Sequence, residues 1–320
     1  MTLEDPVLEQ VYDELMRLDP DQSRIARTIR RTLDQLYDGQ HTGRFRWDQL
    51  YKTEKTHCGT LVEINLQREF DFEDGLKLDY LIVGIEVDCK YSQRLGGWMI
   101  PNEAHGHLCL VVTASDQEGR FSAGVVRART EWLGAGRNRD AKATLSPEGR
   151  AQILWLAKDA ALPPNVLLEL GEDDVRAVFA HRSGQRRLDE LFRRAQGRVI
   201  GRGVVATVAQ QSDFMKRVRG NGGSRTRLKP EGIVVFGHYG AHALVMKQLG
   251  LGPLANGESM SVRLVECPEH TPWSAMIEGR SWRIASSTDP VEEAPELPST
   301  RLSVGSAMVG SDGGRQEDWS

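Results

Sequence analysis

Apolar and polar positions alternate along the chain in two periods. Over residues 19–39, Ile25, Ile29, Leu33 and Leu36 recur at helical spacing, between an Asp19-Pro20 start and Gly39, which predicts a helix. Its other face carries Arg24, Arg27, Arg30 and Arg31, an exposed basic face or one that meets phosphates. After a polar, aromatic connection, residues 60–70 (TLVEINLQREF) fit either a second helix or a short buried strand carrying Glu63. The period then changes to two. Residues 70–92 (FDFEDGLKLDYLIVGIEVDCKYS) predict strands joined by turns at Asp74-Gly75 and around Gly84. The nearly continuous apolar run 107–115 suits a strand covered on both faces, and 121–128 adds another. A Ser-Pro-Glu start predicts a helix over 146–158. Helices and strands around a mixed sheet make an α/β domain over 1–158.

Two prolines in KDAALPPNV mark a linker over 159–166. Beyond it, residues 186–200 place Leu188, Leu191, Phe192, Ala195 and Val199 on one helical face. A second helical stretch covers 204–211, followed by a short one over 212–220 that Ser212 would cap. Gly-rich sequence leads into a strand at 233–238, a helix at 241–252 ended by glycine, a strand at 261–267 and a hairpin around Glu278 to Arg280. Short basic helices followed by hairpin strands predict a winged helix-turn-helix domain over 167–295. Residues 296–320 are Ser, Gly and acid without periodicity, and a disordered tail is expected there.

With 39% hydrophobic and 27% charged residues the composition is that of a globular protein, and no apolar run reaches membrane-spanning length. The first ten residues lack the basic and apolar regions of a signal peptide, so a cytoplasmic protein with no membrane partner is expected. Cys58, Cys89, Cys109 and Cys267 form no CxxC pair, which argues against a disulfide framework or a Cys-rich zinc site. Charge sharpens the picture of the second half. The chain is at −4 overall, yet residues 181–230 hold thirteen Lys or Arg against three acids. Such a block is an electrostatic footprint for nucleic acid.

The strand carrying Asp88 raises a separate problem. Residues two apart on a strand point to one face, so Glu86, Asp88 and Lys90 share a side while Val87, Cys89 and Tyr91 take the other. If 78–83 pairs back across the Gly84 turn, Asp79 comes within reach of Asp88. Buried carboxylates are costly unless paired or bound to a metal, and a divalent cation held by oxygens would resolve the crowding. Lys90 would then neutralise charge at a phosphorus centre. An ordinary hairpin with an Asp–Lys cross-strand pair fits these residues equally. Asp-x-Lys also occurs at Asp140-Ala141-Lys142, but in a polar loop rather than an apolar strand.

Asp79 followed by Asp88-x-Lys90, with Glu63 on a preceding element, resembles the PD-(D/E)xK motif of type II restriction endonucleases. The stretches TLDQLYDGQ, LYKTEKTH, GTLVEINL, SPEGRAQ, ELFRR and ATVAQQSDFMKRVRG are similar, in the same order, to the NaeI-like (type IIE) members, from about residue 20 to about 295. Leu78 stands where many relatives have proline. The resemblance implies catalytic Glu63, Asp79, Asp88 and Lys90, with Mg²⁺ held by Glu63, Asp79, Asp88 and the Cys89 carbonyl. It further implies a homodimer cleaving double-stranded DNA at GCCGGC, a second effector copy of the site, a C-terminal domain like that of the catabolite activator protein, and a cognate methyltransferase. For DNA contacts the candidates are Gln210, Gln211, Lys216, Arg217 and Arg219 for bases, with Arg225, Arg227 and Lys229 for phosphates. A non-cleaving regulator and a shape-selective repair nuclease remain alternatives. His105 with His107, and His238 with His242, lack a third metal ligand, Gly201-x-Gly203 lacks the rest of a dinucleotide fingerprint, and there is no Walker motif.

Overall fold

The computed structural model describes residues 5–134, 136, 142–219 and 222–298; Asp140 and the tail from 299 lie outside the described residues. Helix α1 (Pro6–Leu18) precedes the first helix that the sequence pattern anticipates. Asp5 accepts the Leu8 N–H at 3.1 Å, proline follows it, and Leu8, Val11 and Leu15 are buried. Helix α2 (Ser23–Tyr37) buries Ile25, Ile29, Leu33 and Leu36, the anticipated face. Its arginine side is not uniformly exposed. Arg24 and Arg31 pair with Glu69, whereas Arg30 is buried, donates from both Nη atoms to Asp116 and pairs with Asp34 at 2.8 Å.

After the single turn α3 (Gly39–Thr42) comes α4 (Lys52–Phe70), so residues 60–70 are helical. A stripe of Cys58, Val62, Leu66 and Phe70, each four residues apart, is buried and explains the choice. Glu54 starts this helix, accepting the Tyr51 N–H at 2.8 Å while holding Arg44 at 2.7 and 2.8 Å.

Strands β1 (Glu73–Asp74), β2 (Tyr80–Ile82), β3 (Ile85–Ser92), β4 (Leu108–Ser115) and β5 (Arg120–Arg127) follow, then α5 (Pro147–Ala151) and β6 (Leu154–Ala161). The six strands lie in sequence order, all neighbours antiparallel except the parallel pair β3–β4. This is a mixed sheet flanked by helices. Leu108, Leu110 and Val112 face the core under α1, α2 and α4, while Cys109 and Val111 face a second core with Trp98, Ile100, Leu133 and Leu145. Burial on both sides is why β4 reads as an unbroken apolar run.

The helix expected over 146–158 is corrected: it stops at Ala151, and the apolar cluster after it is β6. Ser146 does cap the helix, accepting the Gly149 N–H at 3.1 Å. Leu156 then turns to one core and Trp155 packs on the other, a strand's alternation that a short apolar run conceals.

The rest of the chain forms α6 (Val166–Glu169), α7 (Glu172–Phe179), α8 (Gly184–Arg194), α9 (Arg202–Ala209), α10 (Phe214–Val218) and α11 (Ser224–Arg227), then β7 (Ile233–Gly237), α12 (Gly240–Gln248), β8 (Ser259–Glu266), β9 (Ser274–Ile277) and β10 (Arg280–Ile284). Ser212 does not cap α10, whose N-cap is Asp213. The four strands make an antiparallel sheet ordered β7-β8-β10-β9, with positive φ at Glu278 and Gly279 turning the anticipated hairpin. Ile233 and Val235 face the helices, and Val234 and Phe236 face α12.

The two sheets' surroundings meet where Phe45 enters the helical core and stacks on Phe179 at 6.0 Å. Backbones approach closely there: a Cβ on Gly203 would lie 2.1 Å from the Asp34 carboxylate, and one on Gly39 would lie 2.0 Å from the Thr207 hydroxyl.

Buried His242 on α12 accepts the Gly237 N–H at Nδ1 (3.0 Å), and burial pulls its pKa from 6.5 down to about 4. The unfolded chain therefore takes up a proton that the folded chain refuses, so stability should decline as pH falls from 6.5 towards 4. Urea titrations of the wild type should show that decline, by up to about 3 kcal/mol, and His242→Gln should lack that component. Equal slopes in the two proteins would refute it.

Candidate active site

Two local features bring the acids together. Val83 and Gly84 both take positive φ, 48° and 75°, closing a two-residue turn that pairs Tyr80 with Val87. The residue before Tyr80 is Asp79 and the residue after Val87 is Asp88, so they end on neighbouring strands. The parallel β3–β4 pairing then sets Asp88 against Cys109 and keeps it 3% exposed.

Lys90 organises the cluster. Its ammonium donates to Asp88 Oδ1 at 2.8 Å, to the Cys89 carbonyl at 2.8 Å and to Asp79 Oδ2 at 3.4 Å. Asp79 Oδ2 also accepts the Cys89 N–H at 2.6 Å, and the Cys109 thiol lies 3.9 Å from Asp88 Oδ2. Burial pushes the Asp88 carboxyl up to about 6 against the opposing pull of Lys90, and nearby Asp79 adds to the rise. Burial also disfavours the Lys90 ammonium, yet Asp88 and Asp79 outweigh it and its pKa is raised.

Glu63 stands half-buried on α4, and Tyr80 ties that helix to β2 by donating its hydroxyl to the Glu63 carbonyl at 2.7 Å. Burial first, then the charge of Asp79, raises the Glu63 pKa. Its carboxylate senses the cluster through space; among the described residues no hydrogen bond or ion pair of that carboxylate is present.

The chemistry of the donor set bears on which ions fit. Asp79 Oδ2, Asp88 Oδ1 and Cys89 O are hard oxygens that already converge on one cation, the Lys90 ammonium. Two carboxylates and a carbonyl suit Mg²⁺, which ordinarily keeps several waters beside one or two carboxylates. Among the described residues no group of three or more His, Cys, Asp or Glu side chains is arranged to hold a metal ion.

Glu86 has the clearest role that the strand pattern did not reveal. Its carboxylate accepts the backbone N–H groups of Leu76 (2.7 Å), Lys77 (3.3 Å) and Leu78 (2.9 Å), which lead directly to Asp79.

A family model described as restriction endonuclease NaeI matches residues 9–293. The type II restriction enzyme NaeI of Lentzea aerocolonigenes is 51% identical over 302 residues, covering 92% of this chain and 95% of that protein. The chain belongs to the NaeI restriction endonuclease family. Membership makes it a type II restriction enzyme, a site-specific deoxyribonuclease, and removes the reading as a non-cleaving regulator. Among the described residues, no helix is long and apolar enough to cross a membrane.

In this NaeI-family chain the eight C-terminal candidates differ in how far they are engaged. Gln210, in left-handed conformation at the end of α9, accepts a hydrogen bond from Arg187. Gln211 has a buried Oε1 with no hydrogen-bond partner among the described residues. Arg217 pairs with Asp213 at 3.1 Å, Arg227 with Asp189 at 2.7 Å and Lys229 with Glu296 at 2.7 Å. Arg225 donates to the Val235 carbonyl at 2.9 Å, and burial lowers its pKa. Lys216 and Arg219 are exposed, with no ion pair among the described residues. The basic block is also partly neutralised from outside. Arg193 pairs with Glu231, Arg194 with Asp174 and Arg198 with Glu169. Of the histidine pairs, His242 is committed to Gly237, and His105 buries an Nε2 with no partner among the described residues.

Proposed function

We propose that this chain hydrolyses double-stranded DNA at GCCGGC in the cytoplasm as a Mg²⁺-dependent homodimer, with a second copy of the site acting as effector. The observation that carries the reading is the convergence of Asp79, Asp88 and the Cys89 carbonyl on the Lys90 ammonium. When bound there, Mg²⁺ supplies Lewis-acid neutralisation of charge at the phosphorus. Asp79, Asp88 and the Cys89 carbonyl would hold the ion, and Glu63 would complete the negative field from α4. Lys90 would face the scissile phosphate and stabilise the charge that grows on it as water attacks in line and the departing 3′ oxygen takes up the proton that the water gives up. The products carry 5′-phosphate and 3′-hydroxyl ends.

The first domain in this reading ends with β6 and the DNA-binding domain begins with α6. Helices α9 and α10, joined by a four-residue turn at 210–213, would be a helix-turn-helix, and the β9–β10 hairpin its wing. Lys216 on α10 and Arg219 at its end, exposed and without an ion pair among the described residues, could meet phosphates as well as the bases expected from the sequence. A nuclease of this specificity requires a methyltransferase that protects host DNA.

Plasmids with zero, one or two GCCGGC sites test the proposal. Cutting is expected only with a site and Mg²⁺, faster with two sites than with one. In the same reactions Lys216→Ala/Arg219→Ala should lose the two-site advantage, and its DNA affinity should depend less steeply on salt. Site-independent nicking would instead indicate a shape-selective nuclease, and equal rates on one and two sites would remove the effector role.

A further inference from the structure

We infer that Glu86 is a positioning residue for cleavage: it fixes the loop that presents Asp79. The inference rests on the reading above, in which Asp79 helps to hold the ion. Three consecutive amides, those of Leu76, Lys77 and Leu78, end on the one Glu86 carboxylate, at 2.7 Å, 3.3 Å and 2.9 Å. These amides belong to no strand or helix, and without Glu86 they have no other acceptor in the described residues. Packing offers little substitute, because Leu76 is 92% exposed and of the three only Leu78 reaches a core.

A second observation comes from the other side of the loop. A Cβ on Gly75 would lie 2.2 Å from the Leu78 carbonyl oxygen and 2.8 Å from Glu86 Oε2, so the chain wraps the carboxylate as closely as glycine allows. The Gly75 N–H closes the same loop on the Asp79 carbonyl at 3.4 Å.

The consequence is a division of labour along one face of β3. Asp88 and Lys90 meet the ion and the phosphate, while Glu86, two residues earlier, never touches either. It acts through the backbone of 76–78 on Asp79, whose Oδ2 accepts the Cys89 N–H at 2.6 Å.

Glu86→Ala, Glu86→Gln and Gly75→Ala are compared with wild type and Asp79→Ala in two measurements. Amide hydrogen exchange of the ion-free protein should speed up by about tenfold or more over residues 75–79 in Glu86→Ala, with the rest of the sheet unchanged. Single-turnover cleavage of the two-site plasmid should fall roughly 10- to 100-fold, and the Mg²⁺ concentration for half-maximal rate should rise, as for other residues that orient a ligand. KM for DNA should not move. Glu86→Gln, which keeps one acceptor oxygen, should fall between, and Gly75→Ala should reproduce Glu86→Ala from the opposite side. Faster exchange with wild-type cleavage would leave Glu86 a purely structural residue, and unchanged exchange would overturn the contact itself. Full activity in Asp79→Ala would instead refute the reading of Asp79, and the inference would fall with it, even though Glu86 still orders the loop.

Discussion

Asp88→Ala and Lys90→Ala should each lower site-specific cleavage by roughly 10²- to 10⁴-fold, the range of losses when a proton-handling or charge-stabilising group is removed. Each change removes a different element of the cup: Asp88→Ala leaves one carboxylate and a carbonyl, and Lys90→Ala removes the fixed positive charge. Stability should not follow activity. Burial lifts the Asp88 carboxyl to about 6, so at neutral pH the fold bears a charge that it disfavours. Asp88→Asn relieves that cost but removes the carboxylate paired with Lys90 at 2.8 Å, so Tm should stay near wild type while cleavage is lost. Gel-shift measurements without metal should show DNA binding intact. A fully active Asp88→Ala, or a Tm fall matching the loss of activity, would refute this assignment.

The second large effect lies away from the cluster. Asp116 accepts hydrogen bonds from both Nη atoms of Arg30, from the Tyr37 hydroxyl at 2.7 Å and from Asn165 Nδ2 at 3.4 Å. Asn165 also donates to the Phe45 carbonyl at 2.9 Å, so this buried carboxylate joins α2, the β4–β5 turn and the start of α6. Asp116→Ala would leave the Arg30 charge with only Asp34 among the described residues and strand the Tyr37 hydroxyl, while Asn165 Nδ2 keeps the Phe45 carbonyl. A loss of about 3 to 5 kcal/mol is expected, visible as a Tm lowered by roughly 10 °C, with Asp116→Asn intermediate. A Tm within about 2 °C of wild type would show that water or Asp34 compensates.

How much of this was legible in the sequence depends on where each partner lies. The β2–β3 hairpin could be read because its signals are local: a glycine turn, an apolar stretch before it and the alternation of residues 85–92 after it. Helix α4 was half legible, since its stripe begins at Cys58 inside a stretch that otherwise looks like a polar connection. Strand β6 was mistaken for helix because a genuine helix start runs straight into it. Glu86 escaped because its partners are backbone amides of an irregular loop, which leave no residue pattern. Counting charge over 181–230 overstated the free positive field for a related reason. Several of those arginines and Lys229 are answered by acids outside that window, at Asp174, Glu169, Glu231 and Glu296.

The two-residue turn at Val83-Gly84 also governs which sequence changes the site can survive. With a side-chain repeat of two, inserting or deleting one residue between that turn and Asp88 moves Asp88 and Lys90 into the core under α2 and α4. Val87, Cys89 and Tyr91 would then occupy the cup. Changes by two residues preserve parity and only shift the cluster along the strand. Length in this segment is thus constrained to steps of two, a stricter limit than any on the identity of its apolar residues.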